Sequence, residues 1–269
     1  MIIDTHMHLF PDKLCPQTIE KLAVTNPKKH LTPYGDGSVG CAEKNMKKWG
    51  VDLSVLLPIA TNPRQQKSVN NFAKEIQDNY SNFITFGTIH PDAEDYEAEL
   101  DRIVEMGFYG IKLHPDYQGF FVDEKRIFPL YQAISERNLP LVFHTGYDPV
   151  SPSCLHSPAE RVVEVAKAFP DLQIIAAHTG GLAFVDGPKD IYMNLDNVHF
   201  DTAIASYTFK PKDYRKLIDL YTADKFMFAT DNPWGNGQKD IDFMKAVGLN
   251  SDEWETIMHK NAETLLSIC

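Results

Sequence analysis

Short apolar runs rich in β-branched and aromatic residues recur along the whole chain, and between them apolar residues fall three and four positions apart. The runs predict strands at Met1 to Thr5, Leu53 to Ile59, Phe83 to Ile89, Gly110 to Leu113, Leu141 to Phe143, Gln173 to Ala177, Val198 to Asp201 and Phe226 to Ala229, eight in all. The stretches between them predict amphipathic helices. Val69, Phe72, Ala73 and Ile76 mark one face, and Tyr96, Leu100 and Ile103 another. Ile127, Leu130, Tyr131 and Ile134 repeat the pattern, followed by Val162, Val163, Ala166 and Phe169, then Tyr214, Leu217, Ile218 and Tyr221. Trp254, Ile257, Met258 and Leu265 close the chain.

Near-continuous apolar strands suit a parallel sheet buried on both faces, and right-handed helical crossovers join such strands. Eight of them predict an α/β fold, a (β/α)8 TIM barrel; a doubly wound sheet, with fewer strands and no closure, is the competing arrangement. No shift of composition marks a linker, so residues 1–269 are expected to form one domain. The irregular stretch from Leu9 to Lys48 carries Pro11, Pro16, Pro27, Pro33 and the glycines of YGDGSVG. It is expected to be an extended first βα loop, a lid over residues 9–48. The segment from Tyr147 to Ser157, with Pro149, Pro152 and Pro158 in or beside it, is expected to be a second lid.

Composition narrows the function classes. A chain of 269 residues with 43% hydrophobic and 23% charged residues can bury one large core and is not a disordered tail. Its 26 basic against 37 acidic residues give a formal charge of −11, which disfavours nucleic acid and anionic membrane surfaces as partners. No apolar run is long enough to span a bilayer, and MIIDTHMH lacks the features of a signal peptide, so a cytoplasmic protein is expected. Cys15, Cys41, Cys154 and Cys269 are scattered without CxxC spacing, which predicts reduced thiols. The expected partner is a small-molecule substrate, with a homodimer the default assembly.

In a barrel the chemistry gathers at the carboxyl ends of the strands. There stand His6 and His8 after the first run, His90 after the third, Lys112 and His114 at the fourth, His144 after the fifth, His178 after the sixth, Asp201 closing the seventh and Asp231 after the eighth. His6 and His8 are two apart on a strand and point the same way, and Asp4 shares their parity. Together with His144 and Asp231 they offer three imidazoles and a carboxylate. That set suits zinc, with manganese, iron(II) or cobalt as alternatives. Such an ion brings the pKa of bound water towards about 7 and polarises a carbonyl. Asp231 would take the water proton and return it to the leaving group, and His178 would orient the water or polarise the substrate.

Other residues carry weaker signals. His90, before Pro91, is expected to close a turn. Asp201 is expected either to meet substrate or to pair with a neighbouring lysine, and His114 shares the parity of Lys112 and so could face substrate. His30, His156, His199 and His259 lack strand-end placement. Phe120, Phe121, Tyr147 and Trp234 could line an aromatic pocket. GGLAF lacks the spacing of a dinucleotide fingerprint.

DTHMH, GFYGIKLHP, FHTG, AAHTGG, ATDNPW, NAETLL and the segment NNFAKEIQDNYSNFITFGTIHPD, in this order, resemble the amidohydrolase superfamily. The resemblance is to its amidohydrolase-related branch, which includes proteins like aminocarboxymuconate semialdehyde decarboxylase, and it spans nearly the whole chain. It implies a (β/α)8 barrel, His6, His8, His144 and Asp231 as metal ligands, and His178 as catalytic base or second-metal ligand. Lys112 is implied as a carboxylated bridge between two ions, a holder of a substrate carboxylate together with Arg64, or one half of an ion pair. One or two divalent ions fit the branch. Two reactions occur in it on nearly the same ligands: hydrolysis of an amide, ester or lactone, expected first, and nonoxidative decarboxylation of an unsaturated or aromatic acid, the alternative. A Schiff-base aldolase with Lys112 as nucleophile is a third reading, and a non-catalytic metal-binding protein a fourth.

Overall fold

The computed structural model describes residues 1–24, 33–186 and 189–268; Pro27, His30 and Cys269 lie outside them. The strands are β1 (Ile3–Met7), β2 (Leu53–Leu56), β3 (Phe83–Thr85), β4 (Gly87–Thr88), β5 (Ile111–Leu113), β6 (Leu141–Phe143), β7 (Ile174–Ala176), β8 (Val198–Asp201) and β9 (Phe226–Met227). The main helices are α1 (Cys15–Val24), α2 (Val39–Trp49), α3 (Gln66–Asn79), α4 (Tyr96–Glu105), α5 (Pro115–Gln118), α6 (Phe128–Glu136), α7 (Ala159–Ala168), α8 (Pro211–Tyr221), α9 (Gly237–Val247), α10 (Ser251–Glu255) and α11 (Asn261–Leu266). Every predicted run carries a strand, but the third is broken at Phe86 into β3 and β4. Beside the break, Ile103 of α4 would lie 2.5 Å from a Cβ on Gly87, so only glycine admits the helix there. Among the described residues, no helix is long and apolar enough to cross a membrane.

The expectation of one irregular loop over residues 9–48 is overturned, because α1 and α2 occupy much of it. The reason for α2 is legible locally. Ser38 caps it, its side chain accepting from Cys41 N at 3.2 Å, and Gly50 ends it with φ 72°. Val39, Ala42, Met46 and Trp49 supply its buried face. Pro16 and Gly40 lie inside the first turns of α1 and α2, so proline and glycine here do not exclude helices.

The chain forms two compact units, Met1–Leu56 with Asp201–Cys269, and Leu57–Phe200. In the first, β1 pairs parallel with β2 (Ile3 with Leu53, Asp4 with Ser54, Met7 with Leu56). Along its other edge β1 meets the chain that follows β9: Thr5 N donates to Phe228 O at 2.9 Å, Asp231 N to His6 O at 2.9 Å and His8 N to Asn232 O at 2.7 Å. Being paired on both sides, all of β1 is buried. Thr202 N donates to Met227 O at 3.0 Å, which brings the residues after Asp201 alongside β9. Near the C-terminus a π-helical turn, Thr256–Lys260, separates α10 from α11. The wider turn advances the buried face by one residue. Leu266, and not the expected Leu265, is therefore buried.

In the second unit β4 to β8 lie side by side and parallel, in chain order. Leu113 pairs with Phe143 and Phe143 with Ala176. These central strands are wholly buried, as expected for a parallel sheet covered on both faces.

Candidate metal centre and a histidine cluster

In the first unit two imidazoles and a carboxylate converge. His6 Nε2 lies 3.1 Å from His8 Nε2, and Asp231 Oδ1 lies 3.6 Å from the first and 3.3 Å from the second. Ligand atoms of all three fall within 4.8 Å of one another, and each residue is at most 9% exposed. The period-2 geometry of β1 sends His6 and His8 to one side. Asp231 arrives from a tight turn in which Trp234 N and Gly235 N donate to its carbonyl at 2.7 and 3.0 Å. Asp231 itself has φ +60° and precedes a cis Asn232–Pro233 peptide.

Asp4 does not join this group. Its Oδ1 accepts from His6 N at 3.1 Å and Thr230 N at 2.9 Å, and its Oδ2 from Thr230 Oγ1 at 2.6 Å. It thus ties β1 to the turn that presents Asp231. Burial pushes its carboxyl up to about 7, against the lowering effect of those hydrogen bonds.

His6 Nδ1 lies 2.7 Å from Asp201 Oδ2, both side chains 1% exposed. Asp201 is held in turn by Ala203 N, which donates to Oδ1 at 3.1 Å. Asp201 thus stands behind His6, a partner that its place at a strand end did not reveal. A carboxylate on Nδ1 keeps the proton there and leaves the Nε2 lone pair for a ligand bond. Two imidazoles and one carboxylate, nearly dry and with one ring fixed from behind, fit a divalent transition metal.

The second unit holds its own histidine cluster. The Leu113–Phe143 register sets the next residues, His114 and His144, side by side. Their rings stack with centroids 4.2 Å apart at 13°. Asp148 Oδ2 lies 3.6 Å from Nε2 of each, and His178 Nε2 lies 3.0 Å from His144 Nδ1. His178 opens a left-handed turn, with φ 55° at His178 and Thr179, 62° at Gly180 and 68° at Gly181. Left-handed geometry costs a non-glycine residue roughly 1–2 kcal/mol; the paired glycines of AAHTGG suit the rest of the turn. Lys112 is fully buried in β5, two residues before His114. Asp148 escapes sequence reasoning because it sits in a proline-rich loop, away from any strand end. The only signal was its place four residues after His144.

The remaining candidates have local partners. His90 Nδ1 accepts from Asp92 N at 3.2 Å in the expected turn, and His199 pairs with Gln173 at 3.2 Å. His259 pairs with Glu263 at 3.0 Å and His156 with Asp116 at 2.9 Å. Arg64 is exposed in the turn Pro63–Gln65. Phe120 is buried, Phe121 stacks on His156 at 4.9 Å, Tyr147 lies 5.9 Å from Phe184, and Trp234 is half-buried.

Solved structures share this fold along nearly their whole length. A TIM-barrel protein from Bordetella bronchiseptica is 20% identical with a TM-score of 0.80, covering 99% of this chain and 98% of its own. The 5-carboxyvanillate decarboxylase of Sphingomonas paucimobilis is 17% identical with a TM-score of 0.72, covering 100% and 99%. That of Novosphingobium aromaticivorans, solved with bound manganese and 3-methoxy-4-hydroxy-5-nitrobenzoic acid, is 16% identical with a TM-score of 0.74, covering 99% and 97%. The fold is therefore the expected (β/α)8 class. Residues 3–268 match the amidohydrolase family model, and the chain belongs to the amidohydrolase family.

Proposed function

We propose that this chain is a metal-dependent nonoxidative decarboxylase of an aromatic or unsaturated carboxylic acid. The observation that carries the metal part is the convergence of His6, His8 and Asp231, with His6 fixed by Asp201. Decarboxylation is favoured over the hydrolysis expected first because several of the similar structures are named decarboxylases of aromatic acids, those of 5-carboxyvanillate and 2,6-dihydroxybenzoate among them. Hydrolysis of an amide, ester or lactone is the second reading, favoured by the family's broader chemistry.

In this reading His6, His8 and Asp231 would hold one divalent ion; manganese has the precedent of a similar structure and zinc the preference of the donor set. Bound there, it would supply Lewis-acid polarisation of a substrate oxygen. The chain's residues do the rest. Asp201 keeps the His6 proton on Nδ1. The carboxyl carbon leaves as CO2, its bonding electron pair stays on the substrate carbon, and a proton must replace it. Asp231, one of whose carboxylate oxygens faces both imidazoles, is the group assigned to carry that proton. Asp231 would take that proton from solvent and deliver it to the carbon that lost CO2, its fixed position sparing the entropy of a random encounter.

The test is CO2 release from a panel of hydroxybenzoates and unsaturated acids beside a panel of amides, esters and lactones. The protein is purified without chelator and loaded with manganese or zinc. Metal-dependent CO2 release, lost in the H6A/H8A double variant, is expected. Turnover of the second panel alone would put hydrolysis in its place, and failure to bind either metal would overturn both readings.

A further inference from the structure

A loop in the second unit is fastened to the segment that follows β5. The loop, residues 147–157, carries Asp148, whose Oδ1 accepts from Val150 N at 2.7 Å while Oδ2 faces His114 and His144. Farther along, Ser151 Oγ donates to Asp116 Oδ1, and His156 Nδ1 lies 2.9 Å from the same oxygen. The His156 ring stacks on Phe121, and Val122 N donates to His156 O at 3.3 Å. A bridge between Gly146 and Ser157 closes the base. The Asp116 side chain is wholly buried.

Asp116 stands two residues after His114. One short segment therefore presents an imidazole to the start of the loop and an anchor to its middle and end. A surface loop held only by its ends loses conformational entropy for each residue that becomes fixed. Pro149 and Pro152 reduce that cost, and hydrogen bonds to a buried carboxylate are among the stronger ones available to offset it.

We propose that Asp116 is a positioning residue: through Ser151 and His156 it holds the 147–157 loop in the conformation that sets the Asp148 carboxylate against His114 and His144. The inference stands on the second unit's geometry and needs neither the metal nor the decarboxylase reading, so its test is made on the metal-free protein, with no substrate.

Two readouts serve: amide hydrogen exchange across 147–157, and the side-chain nitrogen resonances of His114 and His144 in uniformly labelled protein. D116A is expected to speed exchange in the loop about tenfold or more, the loss of roughly 1.4 kcal/mol of local protection, and to shift both imidazole signals as D148N does. D116A/D148N should shift them no further than D148N alone. D116N keeps an acceptor at Oδ1 and is expected to restore both readouts. Should D116A fail to fold, S151A and H156A, which each remove one donor, are expected to give the same changes at smaller amplitude. Imidazole signals and loop exchange unchanged in D116A, or in both S151A and H156A, would overturn the proposal. So would a loss of global stability with the imidazole signals intact, since that is what a merely structural anchor does.

Discussion

The Nδ1 atom of His6 and the Oδ2 atom of Asp201 lie 2.7 Å apart, almost completely shielded from water. They come from strand ends far apart in the chain, and the contact settles which nitrogen of His6 faces His8 and Asp231. Partners of this kind, behind a metal-ligating imidazole, typically change metal affinity by about 10–100-fold when removed. D201A is accordingly expected to weaken manganese or zinc binding by that factor with His6 and His8 intact, and D201N by less. Competition titration against a fluorescent chelator measures it; affinity unchanged in D201A would remove Asp201 from the site.

Gly235 supports the same group from the backbone. A Cβ on it would fall 1.7 Å from the carbonyl oxygen of Thr230, a distance no side chain can occupy without moving the turn. G235A is expected to displace Asp231, lowering metal affinity at least as much as D201A. It should also cost about 1–3 kcal/mol of stability by denaturant unfolding. Stability lost with metal affinity retained would mean that the turn relaxes away from Asp231.

Asp240 makes stability depend on pH. It is buried, with its Oδ1 accepting from Ser206 Oγ at 2.5 Å. Burial pushes its carboxyl up to about 8; the charges of Asp4 and Asp231 push the same way, and the Ser206 hydrogen bond and Lys239 oppose them. The folded protein therefore holds a proton that the unfolded chain, with an ordinary carboxylate near 4, releases between about pH 4 and 8. The contribution of Asp240 to stability is full below pH 4 and declines by roughly 1.4 kcal/mol per pH unit up to about 8. D240N removes that slope. Relative to wild type it should gain stability as pH rises from 5 to 8 in urea unfolding; parallel profiles would show that Asp240 is ionised in the fold.

Lys112 tests the remaining mechanism. A Schiff-base enzyme would trap a keto acid on this buried amine under borohydride. The metal reading predicts no such adduct, seen as an unchanged intact mass; a stable adduct mapped to Lys112 would revive the aldolase reading. K112M, which keeps the length and apolar stem, should leave manganese bound at His6, His8 and Asp231.

Much was legible along the chain. The alternation of apolar runs and helical faces determined the strands of the (β/α)8 fold, because burying a parallel strand on both faces forces a continuous apolar run that few other elements need. Period-2 spacing determined that His6 and His8 face the same side, since parity on a strand is a local property. Chain-local signals also placed His114, His144 and His178 at strand exits. Where the reading failed, local chemistry had two outcomes: Pro16 and Gly40, signs of an irregular stretch, fit the first turns of helices as well, and a π turn moved Leu266 into the place expected for Leu265.

What only the tertiary structure decided is which distant groups meet. Nothing near Asp201 in sequence says that it faces His6, or that Asp4 accepts from Thr230 instead of joining the imidazoles. Asp148 and Asp116 acquire their partners through the register of β5 with β6 and the path of a proline-rich loop. Spacing along one element is fixed by bond geometry and can be counted. Contacts between elements depend on how whole strands pack to bury their apolar faces, and that is a property of the folded chain alone.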